Sequence, residues 1–170
     1  MAKIKRTSAP NELIDLRDAS NSQIKKILHL NNQFARETST LDAGQFEDYI
    51  EKSFAAVAIA PEVGFVMAFD QDAKVESANF NWFKSRYDRF IYIDRIAVAK
   101  ANQGQGIGRA LYEIITELAE EAEHNLICCE VNVFPENLVS LEFHETLGFE
   151  AIEDRETDTG RIVRYLQLEL

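Results

Sequence analysis

Apolar residues in the first half of the chain recur at helical spacing in one segment and cluster into β-rich runs in others. Between Ser20 and Phe34 they lie on much of one helical face, which predicts a helix capped by Ser20 or Asn21. A second helix is predicted over Asp42–Lys52. Branched and aromatic residues predict strands, the last of them the least regular, at Glu12–Leu16, Phe54–Ala60, Gly64–Asp70 and Val75–Asn81, with Pro61–Val63 as a hairpin connection.

The second half alternates strands and helices. Phe90–Val98 and Leu126–Val133 read as strands, and between them apolar residues from Leu111 to Ala122 recur at helical spacing opposite a row of glutamates. A short helix over Asn137–Leu147, ended by Gly148, and two closing strands are then predicted, the strands at Phe149–Ile152 and Ile162–Leu170. The alternation predicts an α/β fold, a sheet covered by helices. Without the segment near Val75–Asn81, its order is β-α-α-β-β-β-α-β-α-β-β.

Composition narrows the class of protein and of partner. The 170 residues fit a single domain spanning 1–170, and the net charge of −11 disfavours nucleic acid and anionic membranes as partners while suiting a cationic substrate. No apolar run approaches the roughly 18 residues of a membrane span, and Met1–Thr7 lacks the apolar run of a secretory signal, so we expect a cytoplasmic protein. The adjacent Cys128 and Cys129 predict neither a disulfide nor a cysteine metal site, and no metal is expected.

The glycine-rich run from Gln103 to Arg109 lies between a predicted strand and a predicted helix. Free backbone N–H groups and the positive helix end make such a turn a natural phosphate site. A P-loop would need Lys-Ser/Thr after its last glycine, where Arg109-Ala110 stand instead. A dinucleotide fingerprint would need Gly or Ala at position 109, so an NAD-type site is a weaker alternative, and a turn without ligand is another.

Two separated motifs resemble the GNAT superfamily of acetyltransferases. Gln103, Gly106 and Gly108 match its Gln/Arg-x-x-Gly-x-Gly/Ala pattern, and the stretch from Asn137 through Ser140 to Gly148-Phe149 is similar to its later helix and turn. The resemblance implies a mixed, mostly antiparallel central sheet flanked by helices, with a cofactor-binding core over residues 91–149. It implies acetyl-CoA as the cofactor and transfer of an acetyl group to a primary amine of a small molecule or peptide.

The resemblance also implies which residues contact the cofactor. Backbone groups of Ile96, Ala97 and Val98 would pair with the pantetheine arm. Asn137 and Ser140 would contact the cofactor from the other side. Amides along the glycine turn would hold the pyrophosphate, namely those of Gln103, Gly104, Gln105, Gly106, Ile107, Gly108 and Arg109.

Acetyl transfer to an amine also needs a base and an acid. His144 stands where the family usually has a tyrosine acid, so we expect it to protonate or hydrogen-bond the leaving sulfur, with packing as the alternative. Asp94 is the predicted base, against the alternative of an ion pair with Arg95, and Tyr92 is a weaker candidate.

Three further interpretations stay open at this point. The unusual His144 leaves room for a non-catalytic acyl-CoA-binding or regulatory module. The aromatic residues of Asn79–Phe83 and Tyr87–Phe90 could wall an acceptor pocket or pack into the core. The alternating strand Ile162–Leu170 could pair or pack across a two-fold axis in a homodimer.

Overall fold

The computed structural model describes residues 12–59 and 62–170. The expectations for Met1–Thr7, Ala60 and Pro61 fall outside the described residues. Within them, the strands are β1 (Leu13–Asp15), β2 (Ala55–Ile59), β3 (Gly64–Asp70), β4 (Ile91–Val98), β5 (Leu126–Phe134), β6 (Glu150–Glu156) and β7 (Ile162–Glu169). The α-helices are α1 (Asn21–Gln33), α2 (Ala35–Thr38), α3 (Ala43–Lys52), α4 (Ala78–Lys84), α5 (Ile107–Glu121) and α6 (Leu138–Thr146).

The strands form one sheet in the order β1-β2-β3-β4-β5-β7-β6. Every neighbouring pair is antiparallel except β4 and β5, which are parallel. The predicted α/β class and its mostly antiparallel sheet are therefore confirmed, and the predicted element order is recovered with α2 and α4 added.

Local sequence explains where the first long helices begin. Ser20 accepts a hydrogen bond from the backbone N–H of Gln23, whose side chain in turn accepts from the N–H of Ser20, and Asp42 and Gln45 repeat this capping box at α3. Apolar faces then cover the sheet on both sides: α1, α3 and α4 contribute to one buried cluster and α5 to the other, against which α6 packs. Cys128 and Cys129 are free and buried in opposite clusters, as alternation along a strand requires.

The strand predicted near Val75–Asn81 is wrong, because helix α4 begins at Ala78. Phe80 and Trp82 alternate with asparagines and so mimic a strand, but Phe80 and Phe83 lie three residues apart and are both fully buried on one helical face. The Ser77 hydroxyl accepts a hydrogen bond from the N–H of Phe80 at 3.2 Å and caps the helix. Core packing, not a pocket wall, is the role of these aromatic rings.

The last strand is an interior strand of the sheet. β7 pairs with β5 on one side and with β6 on the other, so it offers no free edge for pairing with a second chain. The edge strand on this side of the sheet is β6, which carries several acidic residues. Among the described residues, no helix is both long and apolar enough to cross a membrane.

Candidate active site

A cleft of about 940 Å³ opens where β4 and β5 separate. The two strands pair only at Ile91 with Ile127 and at Tyr92 with Cys128, after which they diverge. The opposite side of β4 stays paired with β3 as far as Val98. One end of the cleft is lined by the glycine turn and the starts of α5 and α6, and we call it the donor end after the expected cofactor. The other end is lined by residues from α2, α4 and the β6–β7 turn, and we call it the acceptor end after the expected amine.

The glycine turn presents backbone to the cleft because two of its residues require positive φ. Gly104 and Gly106 have φ of 75° and 80°, and a Cβ built on either would meet nothing within 4 Å. Gly106 is the N-cap of α5 and has no side chain with which to cap it. The first amides of α5 thus face the cleft beside open space, an arrangement that suits a pyrophosphate.

Gly108 lets α5 approach α6 closely. A Cβ at this position would lie 3.1 Å from Cζ of Phe143, so a larger residue would require the Phe143 ring to shift by a few tenths of an ångström. The Asn137 side chain caps α6 by accepting from the N–H of Ser140 at 3.2 Å, and both residues line the cleft opposite the turn. The predicted cofactor residues of α5 and α6 are thereby brought together.

The remaining predicted cofactor residues line the same cleft, with one exception. Ile96, Ala97, Val98, Gln103, Gly104, Gly106, Ile107, Gly108 and Arg109 all do so. Gln105 does not, because its side chain turns back to donate to the carbonyl of Ala101 at 3.0 Å. Arg109 donates to the carbonyl of Thr146 at 3.3 Å, and Gln103 donates to the carbonyl of Val98 at 3.1 Å. The open backbone of the turn and the splayed strands fit a CoA molecule along this wall.

His144 lies in the cleft wall with only 3% of its surface exposed. Nδ1 is 2.6 Å from the carbonyl oxygen of Ser140, which can only accept, so Nδ1 carries the proton. In the neutral ring Nε2 then accepts from the Tyr112 hydroxyl at 2.7 Å. Burial lowers the pKa of His144, although the Ser140 carbonyl opposes this, and burial raises the pKa of Tyr112 well above its ordinary value. Tyr112 therefore holds its proton beside a neutral imidazole.

Asp94 also lines the cleft, but it forms the ion pair that was its alternative role. Its Oδ2 accepts from Nε of Arg95 at 2.6 Å, and both side chains are buried. Arg95 is held further by Asn31 Oδ1 at 3.1 Å and by the ring of Tyr49. The base role of Asp94 stays a prediction.

Glu130 is the carboxyl group that sequence reasoning missed. It lies on β5 at the cleft, where the Tyr92 hydroxyl is 2.7 Å and 2.9 Å from its two oxygens and Asn79 Nδ2 donates to Oε1 at 2.8 Å. Burial raises the pKa of Glu130 to about 7, against the lowering effect of these hydrogen bonds. A lone acidic residue in the apolar run Leu126–Val133 was the signal that could have found it.

The acceptor end is framed by two segments that are distant in sequence. The α1–α3 connection contributes Phe34, Glu37, Thr38 and Ser39, and the β6–β7 turn contributes Thr157, Thr159 and Arg161. Arg161 donates to the carbonyl of Arg36 at 3.2 Å and so joins the two segments across the cleft.

Comparison with known proteins identifies the class of protein that this cleft belongs to. A model of the acetyltransferase (GNAT) family matches residues 22–149, which is most of the chain. The chain belongs to the GNAT family of acetyltransferases, and the family resemblance of its two motifs is confirmed. No curated protein sequence matches it significantly.

Solved structures share the fold at low sequence identity. The NatC complex bound to Gag peptide and CoA is 17% identical with a TM-score of 0.71, covering 93% of this chain and 97% of that one. NAA60 of Arabidopsis thaliana with acetyl-CoA is 10% identical with a TM-score of 0.70, covering 93% and 97%. An aminoglycoside 6'-N-acetyltransferase with coenzyme A is 13% identical with a TM-score of 0.67, covering 92% and 96%. These neighbours bind acetyl-CoA or CoA, which supports acetyl-CoA as the cofactor expected from the sequence.

Proposed function

We propose that this protein transfers an acetyl group from acetyl-CoA to a primary amine of a small molecule or peptide. Membership of the GNAT family supports the acetyl transfer, and the open glycine turn supports the donor. The structural neighbours include a complex bound to a peptide and an aminoglycoside N-acetyltransferase, so both kinds of acceptor occur on this fold. The observation that carries the proposal is a cleft that joins an anion cradle to a carboxyl group poised to accept a proton.

The donor end supplies binding and orientation. The α5 amides and the backbone of Ile96, Ala97 and Val98 would hold the pyrophosphate and the pantetheine arm. When bound, acetyl-CoA supplies the acetyl group as a thioester, whose carbon the amine nitrogen attacks. The C–N bond forms, the C–S bond breaks, the nitrogen of the neutral amine gives up one proton as it becomes an amide, and the departing thiolate takes one up.

Glu130 is the base in this proposal. An acceptor amine arrives mostly as an ammonium at neutral pH, and a carboxylate in the cleft both attracts the cation and takes its proton. A pKa of about 7 lets Glu130 be ionised and still bind a proton effectively near neutral pH. Asp94 is less suited because Arg95 already neutralises its charge.

The proton for the thiolate comes from the Tyr112–His144 pair. His144 stays our candidate acid, but its ring N–H is on Nδ1 and is used by Ser140. The Tyr112 hydroxyl keeps the other proton of the pair and donates it in a hydrogen bond to Nε2 of His144; in this proposal the hydroxyl turns to the departing sulfur and gives it that proton. This arrangement supplies a hydroxyl near the place where the family's tyrosine would stand.

Turnover on a panel of amines tests the proposal. Free thiol release from acetyl-CoA and the mass of the product are followed with amino-terminal peptides, polyamines and aminoglycosides as acceptors. Acetylation of at least one class, lost in Glu130→Gln with CoA affinity retained, is the expected result. Tight CoA binding without turnover on any amine would instead favour a non-catalytic acyl-CoA-binding module, and binding of NAD in preference to CoA would overturn the donor assignment.

A further inference from the structure

Helix α4 delivers a side chain to the cleft that nothing in the sequence motifs indicates. Asn79, in the first turn of α4, lines the acceptor end and donates from Nδ2 to Oε1 of Glu130 at 2.8 Å. The two residues are 51 positions apart in sequence. A hydrogen bond to an ionised carboxylate is stronger than one between neutral groups, because the negative charge attracts the donor's N–H.

A second side chain anchors the other end of the Asn79 amide. The Tyr165 hydroxyl on β7 donates to Oδ1 of Asn79 at 2.9 Å, so the oxygen end of the amide is occupied and the NH₂ end faces Glu130. The flipped amide would place its oxygen against a carboxylate oxygen, two acceptors facing each other. The ionised carboxylate therefore selects this amide orientation, and the Tyr165 hydroxyl, which can donate or accept, anchors it by donating to Oδ1.

Packing around Tyr165 holds this chain of hydrogen bonds in place. The Tyr165 ring is 2% exposed and lies 4.2 Å, centroid to centroid, from Trp82 and 5.1 Å from Phe83, both on α4. Arg86 stacks over the Trp82 ring at 4.0 Å and pairs with Glu153 on β6 at 3.4 Å. Aromatic rings therefore pack helix α4 against strand β7, and this packing fixes the position of Asn79 on the helix.

Other ionisable groups also face Glu130. Tyr92 and Asp94 do so from β4, Tyr165 from β7, and Tyr112 and Cys129 from α5 and β5. The charge of Asp94 raises the pKa of Glu130, whereas the hydrogen bond from Tyr92 lowers it. The hydrogen bond from Asn79 also lowers this pKa, although Asn79 does not ionise and contacts only one carboxylate oxygen.

We propose that Asn79 is a positioning residue for the Glu130 carboxyl group, anchored at its other end by Tyr165. This inference rests on the proposed base role of Glu130. Asn79 keeps Oε1 engaged in the cleft and favours the ionised carboxylate, so that Glu130 enters the reaction ready to accept the proton of the acceptor amine.

The titration of Glu130 tests the inference without any acceptor. The side-chain carboxyl of Glu130 is followed by ¹³C NMR in labelled protein, its signal assigned by its loss in Glu130→Gln. In the wild type we expect a midpoint of about 7. Asn79→Leu should move it up by about one pH unit, since a hydrogen bond to a charged group is lost. The matched control is Asn81→Leu, the same change at an exposed position of the same helix, with no shift expected.

The pH dependence of kcat/KM extends the test to catalysis. In Asn79→Leu the acidic limb should move up with the NMR midpoint, and activity should recover above the new midpoint, which a merely misfolded site would not do. Tyr165→Phe should give a smaller shift in the same direction. If Asn79→Leu fails to fold, Tyr165→Phe serves as the test variant in its place.

The outcomes separate the two proposals. A Glu130 midpoint that is unchanged in both Asn79→Leu and Tyr165→Phe overturns the inference, whatever the turnover. A shifted midpoint with an unshifted rate limb overturns the positioning role in catalysis. Absence of turnover in the wild type, with a midpoint that moves as expected, counts against the proposed function and leaves the contact between Asn79 and Glu130 supported.

Discussion

The two ends of the cleft are built in different ways. The donor end consists mainly of backbone from one continuous stretch, residues 96–109, whose glycines and helix start present amides to an anion. The acceptor end is framed by the α1–α3 connection and the β6–β7 turn, and behind its Glu130 carboxyl group lie side chains from α4, β4 and β7. A backbone turn is specified by neighbouring residues and so forms a recognisable motif, whereas a network of side chains comes from residues scattered along the sequence.

The largest effect is expected at the acceptor end, from Glu130→Gln. Losing a general base should lower kcat/KM by about 10²–10⁴-fold near pH 8. The wild-type rate should fall below about pH 7, because protonated Glu130 can no longer accept the proton of the amine. This acidic limb of the rate profile should vanish in the variant. Initial rates from about pH 5 to about pH 9, a range that spans the titration of Glu130, measure the loss of activity and the acidic limb. Calorimetry checks that CoA affinity is retained. An unchanged limb would remove Glu130 from the mechanism.

Tyr112→Phe and His144→Phe test the wall between the two ends. Each should lower kcat by about 10²-fold, since the proton for the thiolate is lost, and KM for acetyl-CoA should change little. Tyr87→Phe is the matched control: it removes a hydroxyl that bonds to Gln167 at 2.7 Å, outside the cleft. A His144→Phe enzyme with full kcat across the pH range would sink the acid role of His144.

At the donor end, Gly106→Val should weaken CoA binding by about tenfold, because a β-branched residue at φ 80° distorts the turn at a cost of about 1–2 kcal/mol. The pH limb of Glu130 should not move. The control Gly160→Val introduces the same strain at φ 74° in the β6–β7 turn. It should therefore lower the stability of the protein as much as Gly106→Val does, but leave CoA affinity unchanged. Calorimetric titration with CoA compares the two, and equal losses of affinity would show that strain alone is responsible.

The smallest effect on turnover is expected from Asp94→Asn, which should change kcat by less than about tenfold. The substitution should instead lower the free energy of unfolding by about 3 kcal/mol, because buried Arg95 loses its charge partner. The acidic limb should move slightly to lower pH, since Asp94 raises the pKa of Glu130. Urea unfolding and rate profiles check this, and a loss of about 10²-fold would restore Asp94 as the base.

Much of the fold was predictable because hydrophobic spacing and capping residues act locally. The helices at Asn21–Gln33 and Ile107–Glu121 follow directly from that spacing. The segment around Val75–Asn81 was not predictable in this way, since Phe80 and Trp82 alternate as in a strand, and only burial of Phe80 with Phe83 against the sheet selects the helix. That same helix carries Asn79 to the acceptor end.

The sequence by itself determined the family and the glycine turn of the proposed donor end, because a glycine turn before a helix is a local conformation that short-range residues specify. It also placed His144 in the cleft wall, though not its bond to Tyr112. Only the tertiary structure decided the acceptor end. Tyr165 and Asn79 are 86 positions apart, and only the folded sheet and helix α4 bring them to Glu130. Burial in the same fold raises the pKa of Glu130 to about 7.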